Sequence, residues 1–164
     1  MADTRILTFT DKKKLEEQLA QLNEEKKRVA EEIQVARGFG DLSENAEYDA
    51  AKAKEAEVYG NIARIEAELR TATFVDDSSA DSNTAALGTV VRVLDMEYDE
   101  EDDYTLVGYT EADPSKLFIS NESPIGMALC DTDGKGTGAR VGDVVEAQTP
   151  GGVIRMKVLS IRRR

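Results

Sequence analysis

Asp41 and Glu44 are the residues of this chain whose type and spacing most suggest chemistry. They lie three apart in Arg37-Gly38-Phe39-Gly40-Asp41-Leu42-Ser43-Glu44-Asn45-Ala46-Glu47-Tyr48. At the start of a helix this spacing lets both carboxylates face outward together. Paired carboxylates bind hard cations such as Mg²⁺, but two alone make an incomplete cage. The free protein is therefore expected to hold no cofactor stably, and further ligands would have to come from elsewhere. The same spacing also reads as a capping box, in which Asp41 caps and Glu44 reaches back. The helix dipole favours acidic residues there too. Spacing leaves both readings open, and one residue can cap in one state and ligate in another.

Composition closes other routes. The chain has no His, so it has no imidazole base and no His-ligated metal. A single cysteine, Cys130, makes neither an internal disulfide nor a multi-cysteine zinc site. The formal net charge of −12 opposes nucleic-acid binding through the overall field. Any such contact must come through local basic residues or through docking onto a protein. The N-terminus carries no apolar stretch of signal-peptide length, and nothing in the sequence could span a bilayer. A soluble, cytoplasmic protein with no membrane partner is expected.

The elements that must position the acidic pair are legible as two halves with different periods. From Asp11 to Leu69 there is no Pro, and Lys, Glu, Ala, Leu and Gln dominate. A seam runs through Leu15, Leu19, Leu22, Lys26, Val29, Ile33 and Ala36 in alternating steps of four and three, a coiled-coil pattern. A second seam runs through Tyr48, Ala51, Glu55, Val58, Ile62, Ile65 and Leu69. Facing positions of an antiparallel hairpin share a constant index sum. Leu19 with Ile65, Leu22 with Ile62, and Ile33 with Ala51 all give 84, which puts the tip at Leu42. Lys26 and Glu55 fall in neighbouring layers and could pair across the seam. Arms of about 25 residues give a hairpin about 40 Å long.

Asp76 to Ala85, rich in Asp, Ser and Thr, reads as a linker. Beyond it come a Val-rich run from Gly88 to Leu94 and an acidic turn from Asp95 to Asp103. A half-buried strand from Tyr104 to Tyr109 and a short strand from Leu117 to Ser120 follow. Ser123 before Pro124 reads as an N-cap opening a short helix through Leu129. Val144–Gln148 and Val153–Ile161 flank Thr149-Pro150-Gly151-Gly152, a hairpin signal. The expected fold is α+β. A helical coiled-coil hairpin (residues 1–75, tip near 38–48) leads through a linker (76–85) to an antiparallel sheet domain with a short helix (86–164). The formal charge divides into −4 up to residue 75 and −8 beyond it.

Gly40-Asp-Leu-Ser-Glu-Asn-Ala-Glu-Tyr48 with Ala50-Ala51-Lys52 resembles the tip signature of GreA/GreB-type transcript cleavage factors. Val107-Gly108, Glu111-Ala112-Asp113, Ile119-Ser120, Ser123-Pro124-Ile125, Gly142-Asp143 and Thr149-Pro150-Gly151-Gly152 follow in matching order, so the resemblance covers nearly the whole chain. It implies a C-terminal FKBP-like domain without isomerase activity and a monomer that binds RNA polymerase. The hairpin would enter the secondary channel, where Asp41 and Glu44 help hold a second Mg²⁺ beside the polymerase's own metal, near the RNA 3′ end of a backtracked complex. The polymerase would do the hydrolysis, so the factor is not itself an enzyme. The family also carries an association with DNA.

By the same resemblance Arg37 and Lys52 could meet RNA phosphate, and Asn45 and Tyr48 support the tip. Ser123, Pro124 and Ile125 match a docking loop. Each has a plainer structural reading: Tyr48 as seam core, Arg37 and Lys52 as a solvated helix face, Ser-Pro as a helix cap. Phe39 stands where the family is commonly polar. The scarcity of cations near the tip favours the GreA-like branch. Rival readings are a channel-occupying paralogue that inhibits without cleavage, a structural or chaperone-like hairpin, and a free prolyl isomerase.

Overall fold

A computed structural model describes residues 4–38, 46–80, 82–130 and 138–164. Two compact units are present: Lys13–Ala72, and Met1–Lys12 together with Thr73–Arg164.

The first unit is the hairpin. Helix α1 spans Phe9–Arg37 and α2 spans Ala46–Thr71. Both consist largely of good helix formers without Pro. The apolar heptad positions are buried or half-buried, whereas Lys26 is exposed. Val29, Ile33, Ala51, Val58 and Ile62 form one cluster, with Leu19, Leu22 and Tyr48 partly buried against it. Across the arms Lys54 meets Glu32 at 3.5 Å. The suggested pairing of Lys26 with Glu55 gives way to other partners. Lys26 lies over the Tyr59 ring at 4.8 Å, and Glu55 takes Lys52, three residues away, at 2.7 Å. A carboxylate with a cation one turn away on its own helix need not reach across an apolar seam to find one.

The second unit is mostly sheet. Strand β1 (Ile6–Thr8) pairs in parallel with β2 (Thr73–Val75), a two-stranded element that the sequence did not signal. A five-stranded sheet follows, formed by β3 (Thr89–Asp95), β4 (Glu100–Val107), β5 (Phe118–Ser120), β6 (Val144–Thr149) and β7 (Gly152–Arg163) in the order β5-β4-β3-β7-β6. Every pairing in it is antiparallel except β4 with β5. Helix α3 (Pro124–Leu129) packs into the core, which includes Leu87, Val91, Val93, Leu106, Leu129, Met156 and Val158. The expected Thr149–Gly152 turn joins β6 to β7.

Three local readings change. The acidic turn after β3 is shorter than expected, because Glu100 to Asp103 already belong to β4. Cross-strand cations make this possible. Arg92 on β3 donates to Asp103 at 3.0 Å, and Arg162 on β7 does so at 3.3 Å. The Arg92 hydrogen bond, with Arg162 behind it, holds the Asp103 carboxyl below the usual carboxylate range. Leu117 precedes β5 in the left-handed region, at φ 58°, instead of opening the strand. The linker segment is partly structured: Asp76 caps a 3₁₀ turn at Asp77–Ser79, and Ala85 is fully buried in the core.

The unit boundary also falls elsewhere than residue 75. Residues 4–12 belong with the sheet, and Ile6 and Val75 pack on its core. The start of α1 explains why. Thr8 Oγ1 accepts from Asp11 N, and Asp11 Oδ2 accepts from Thr8 N, both at 3.0 Å, forming a capping box. Asp11 is completely buried, and its other oxygen accepts from the Thr110 amide at 3.1 Å and from the Thr110 hydroxyl. A Cβ at Gly108 would collide with this carboxylate, so the absence of a side chain there is what lets it approach.

Candidate functional site

The acidic tip is reached from both arms. Helix α1 ends on Arg37, and Gly38 closes its last turn by donating to the carbonyls of Gln34 and Val35 at 3.3 and 3.0 Å. Helix α2 begins at Ala46, with Glu47 and Asp49 in its first turn. Cationic α1 C-terminus and anionic α2 N-terminus each match their helix dipole. Asp41, Glu44 and Asn45, together with the expected tip at Leu42, lie outside the described residues. No group of three or more His, Cys, Asp or Glu suited to a metal occurs among the described residues.

The flanking residues are described. Tyr48 is half-buried against the seam cluster, so it has the packing role. Arg37 and Lys52 are exposed on opposite arms. They are close enough that the Arg37 charge acts on Lys52. The hydrogen bond from Lys52 to Glu55 outweighs that repulsion and holds the ammonium above the usual lysine range. The fold thus gathers Arg37, Tyr48 and Lys52 at one end of the hairpin. Glu55 is a site neighbour that the sequence reading treated only as a seam intruder. The signal that could have found it was its i,i+3 spacing from Lys52.

Ser123, Pro124 and Ile125 sit together in the sheet unit. Ser123 Oγ accepts from the Gly126 amide at 3.0 Å and donates to the Ser120 carbonyl at 2.7 Å. Pro124 takes the first helical turn, where no amide is required. Ile125 is partly buried against the core, while Met127, 59% exposed, points outward. The cap reading of Ser-Pro is therefore realised, and it presents a partly apolar corner. Arg5 braces this corner. Its guanidinium grips Glu122 through Nε at 2.5 Å and through a second nitrogen at 2.7 Å, and lies 3.9 Å from the Tyr109 ring centre. No local sequence signal could have paired residues 117 positions apart.

A cavity of about 400 Å³ in the sheet unit is lined by Thr10, Asp77, Ser78, Gly88, Arg163 and Arg164. Burial pushes the Asp77 carboxyl up. Such polar, charged walls do not suit a prolyl ring. Among the described residues no helix is long and apolar enough to cross a membrane.

Comparison with known proteins assigns both units. Residues 5–73 match the model "Transcription elongation factor, N-terminal", and residues 80–163 match "Transcription elongation factor, GreA/GreB, C-term". The chain is 46% identical to transcription elongation factor GreA of Acetivibrio thermocellus, over 96% of both chains. It is 48% identical to the GreA of Clostridioides difficile, again over 96% of both. The crystal structure of Thermus aquaticus Gfh1 is 28% identical and covers 98% of this chain and 99% of its own, with a TM-score of 0.44, too loose a superposition to argue from.

Proposed function

This chain belongs to the GreA/GreB family of transcription elongation factors, and from that footing we propose that it acts on RNA polymerase by stimulating cleavage of the backtracked RNA 3′ end. It is an elongation factor and not itself an enzyme. The sheet unit docks through the corner at Ser123, Pro124 and Ile125. The hairpin enters the secondary channel and delivers Asp41 and Glu44 to the active site of the polymerase. One observation carries this reading: two long arms packed on a continuous seam end at Arg37 and resume at Ala46, and the connection between them holds the acidic pair.

The donor set fits a shared ion. Two carboxylates fall short of the roughly six oxygens that Mg²⁺ takes, so the pair suits an ion completed by another protein better than a resident one. When bound, Mg²⁺ would supply an activated water and stabilise the leaving oxygen. The chain's own residues orient and neutralise. Asp41 and Glu44 hold the negative side of the site, Asn45 supports the tip, and Tyr48 fixes the tip end of the seam. Arg37 and Lys52 meet RNA phosphate, where cations position a strand without reading its sequence. The factor works as a monomer, since one hairpin fills one channel.

The test is RNA cleavage in purified backtracked complexes with and without the protein, across a Mg²⁺ titration. Acceleration of 3′-end cleavage, with release of short fragments, supports the proposal. Binding to polymerase without acceleration at any Mg²⁺ concentration overturns the cleavage role and leaves a channel occupant.

A further inference from the structure

Glu55 is an unusual residue for its place. It occupies a seam position between the buried Ala51 and Val58, and its side chain retains only 28% exposure. A carboxylate at a partly covered seam position gains from a cation one turn away on its own helix. Lys52 supplies it at 2.7 Å while its own side chain remains 45% exposed. The anion is therefore the fixed member of the pair and the cation the adjustable one.

The direction of the pairing matters. Helix α2 runs away from the tip, from Ala46 toward Thr71. Glu55 is thus farther from the tip than Lys52, by about 4.5 Å along the axis at about 1.5 Å per residue. The ion pair draws the Lys52 ammonium back along the helix, and the Arg37 charge opposes a second cation beside it. Phosphate at the tip would compete with Glu55 for the Lys52 ammonium. Any share the phosphate takes weakens the compensation of Glu55 and brings a polyanion toward it.

We propose that Glu55 is a positioning residue that attenuates RNA contact at the hairpin tip, its seam-anchored carboxylate competing with RNA phosphate for the Lys52 ammonium. The inference rests on the cleavage function proposed above. It adds a restraint to the tip, so that the hairpin grips RNA less tightly than its cations alone would allow.

The experiment uses the full-length chain with purified backtracked complexes at low salt. Cleavage rate is measured against factor concentration for wild type, Glu55→Gln, Lys52→Gln and the double variant. Glu55→Gln is expected to lower the half-maximal factor concentration by about two- to five-fold, the range an exposed ion pair commands. The rate at saturation should not change, because Asp41 and Glu44 are untouched. In the Lys52→Gln background the same substitution should have no effect. Glu57→Gln, which removes an exposed carboxylate from the same helix, should behave as wild type. Should Gln disturb the seam in thermal melts, Glu55→Met, apolar and of similar length, carries the same test.

An equal gain from Glu55→Gln in both backgrounds overturns the inference, since the effect would not pass through Lys52. So does a Glu55→Gln curve that overlays wild type while Lys52→Gln is impaired, and the cleavage function then stands. If wild type itself gives no cleavage, the function falls and the inference falls with it.

Discussion

The hairpin and the sheet unit solve the problem of holding a charged surface on a core in different ways. In Lys13–Ala72 a narrow seam of Val, Ile and Ala runs between two helices, and the polar groups are satisfied along each helix or directly across the seam. In the sheet unit the core is drawn from segments far apart in the chain, and polar bridges such as Arg5–Glu122 and Asp11–Thr110 tie those segments together. A periodic seam tolerates change at one end without consequence at the other. A core assembled from distant segments transmits the loss of any one of them. On the proposed function, the hairpin would carry chemistry at its end without exposing its own stability to it, and the sheet unit would serve for docking.

The largest expected effect tests that separation directly. Asp41→Asn or Glu44→Gln should reduce stimulated cleavage about a hundredfold, at about 1.4 kcal/mol per tenfold in rate. The melting temperature should not move, because Asn caps about as well as Asp. Raising Mg²⁺ should partly restore the rate by mass action. Rates equal to wild type across the titration would leave only the cap.

Truncation probes the other side. A fragment from Ala85 to Arg164 lacks β1, β2 and the packing of Ile6 and Val75 on the core. It should be less stable by about 3–5 kcal/mol than a chain joining residues 1–12 to 73–164 through a short flexible linker, since the fully buried Leu7 contributes about 1.5–3 kcal/mol and the partly buried Ile6 and Val75 less each. Denaturant melts of the two decide it, and equal midpoints would restore the boundary near residue 75.

Single-residue truncation should grade the two cores. Leu106→Ala, at a site with no exposure, should cost about 3–5 kcal/mol, whereas Leu22→Ala, at a half-buried seam position, should cost about 1–2 kcal/mol. The reverse order in denaturant titrations would break the comparison.

A coupled pair sharpens it. Asp11→Ala strips acceptors from the Thr8 and Thr110 amides and should cost about 2–3 kcal/mol. Gly108→Ala should destabilise the wild type by pressing a methyl against the Asp11 carboxylate, and should cost much less in the Asp11→Ala background. Additive losses in the double-mutant cycle would mean the two residues do not share this contact.

Seam membership, the Ser123 cap and the Thr149–Gly152 turn were determined by the sequence itself, because each depends on residues within a few positions or on a repeat of fixed period. The acidic pair reads as a short motif between two periodic arms, and Asp41 and Glu44 themselves lie outside the described residues. Tertiary structure alone decided the partners of isolated charges. Asp11 reads as one more polar residue at a helix start until Thr110 closes over it. Glu100 to Asp103 read as a solvated turn until Arg92 and Arg162 draw Asp103 into a strand. Glu55 chose the lysine on its own helix over the one across the seam. A charge on a flexible side chain has many candidate partners at similar energy, and only the packed backbone selects which one arrives within hydrogen-bonding distance.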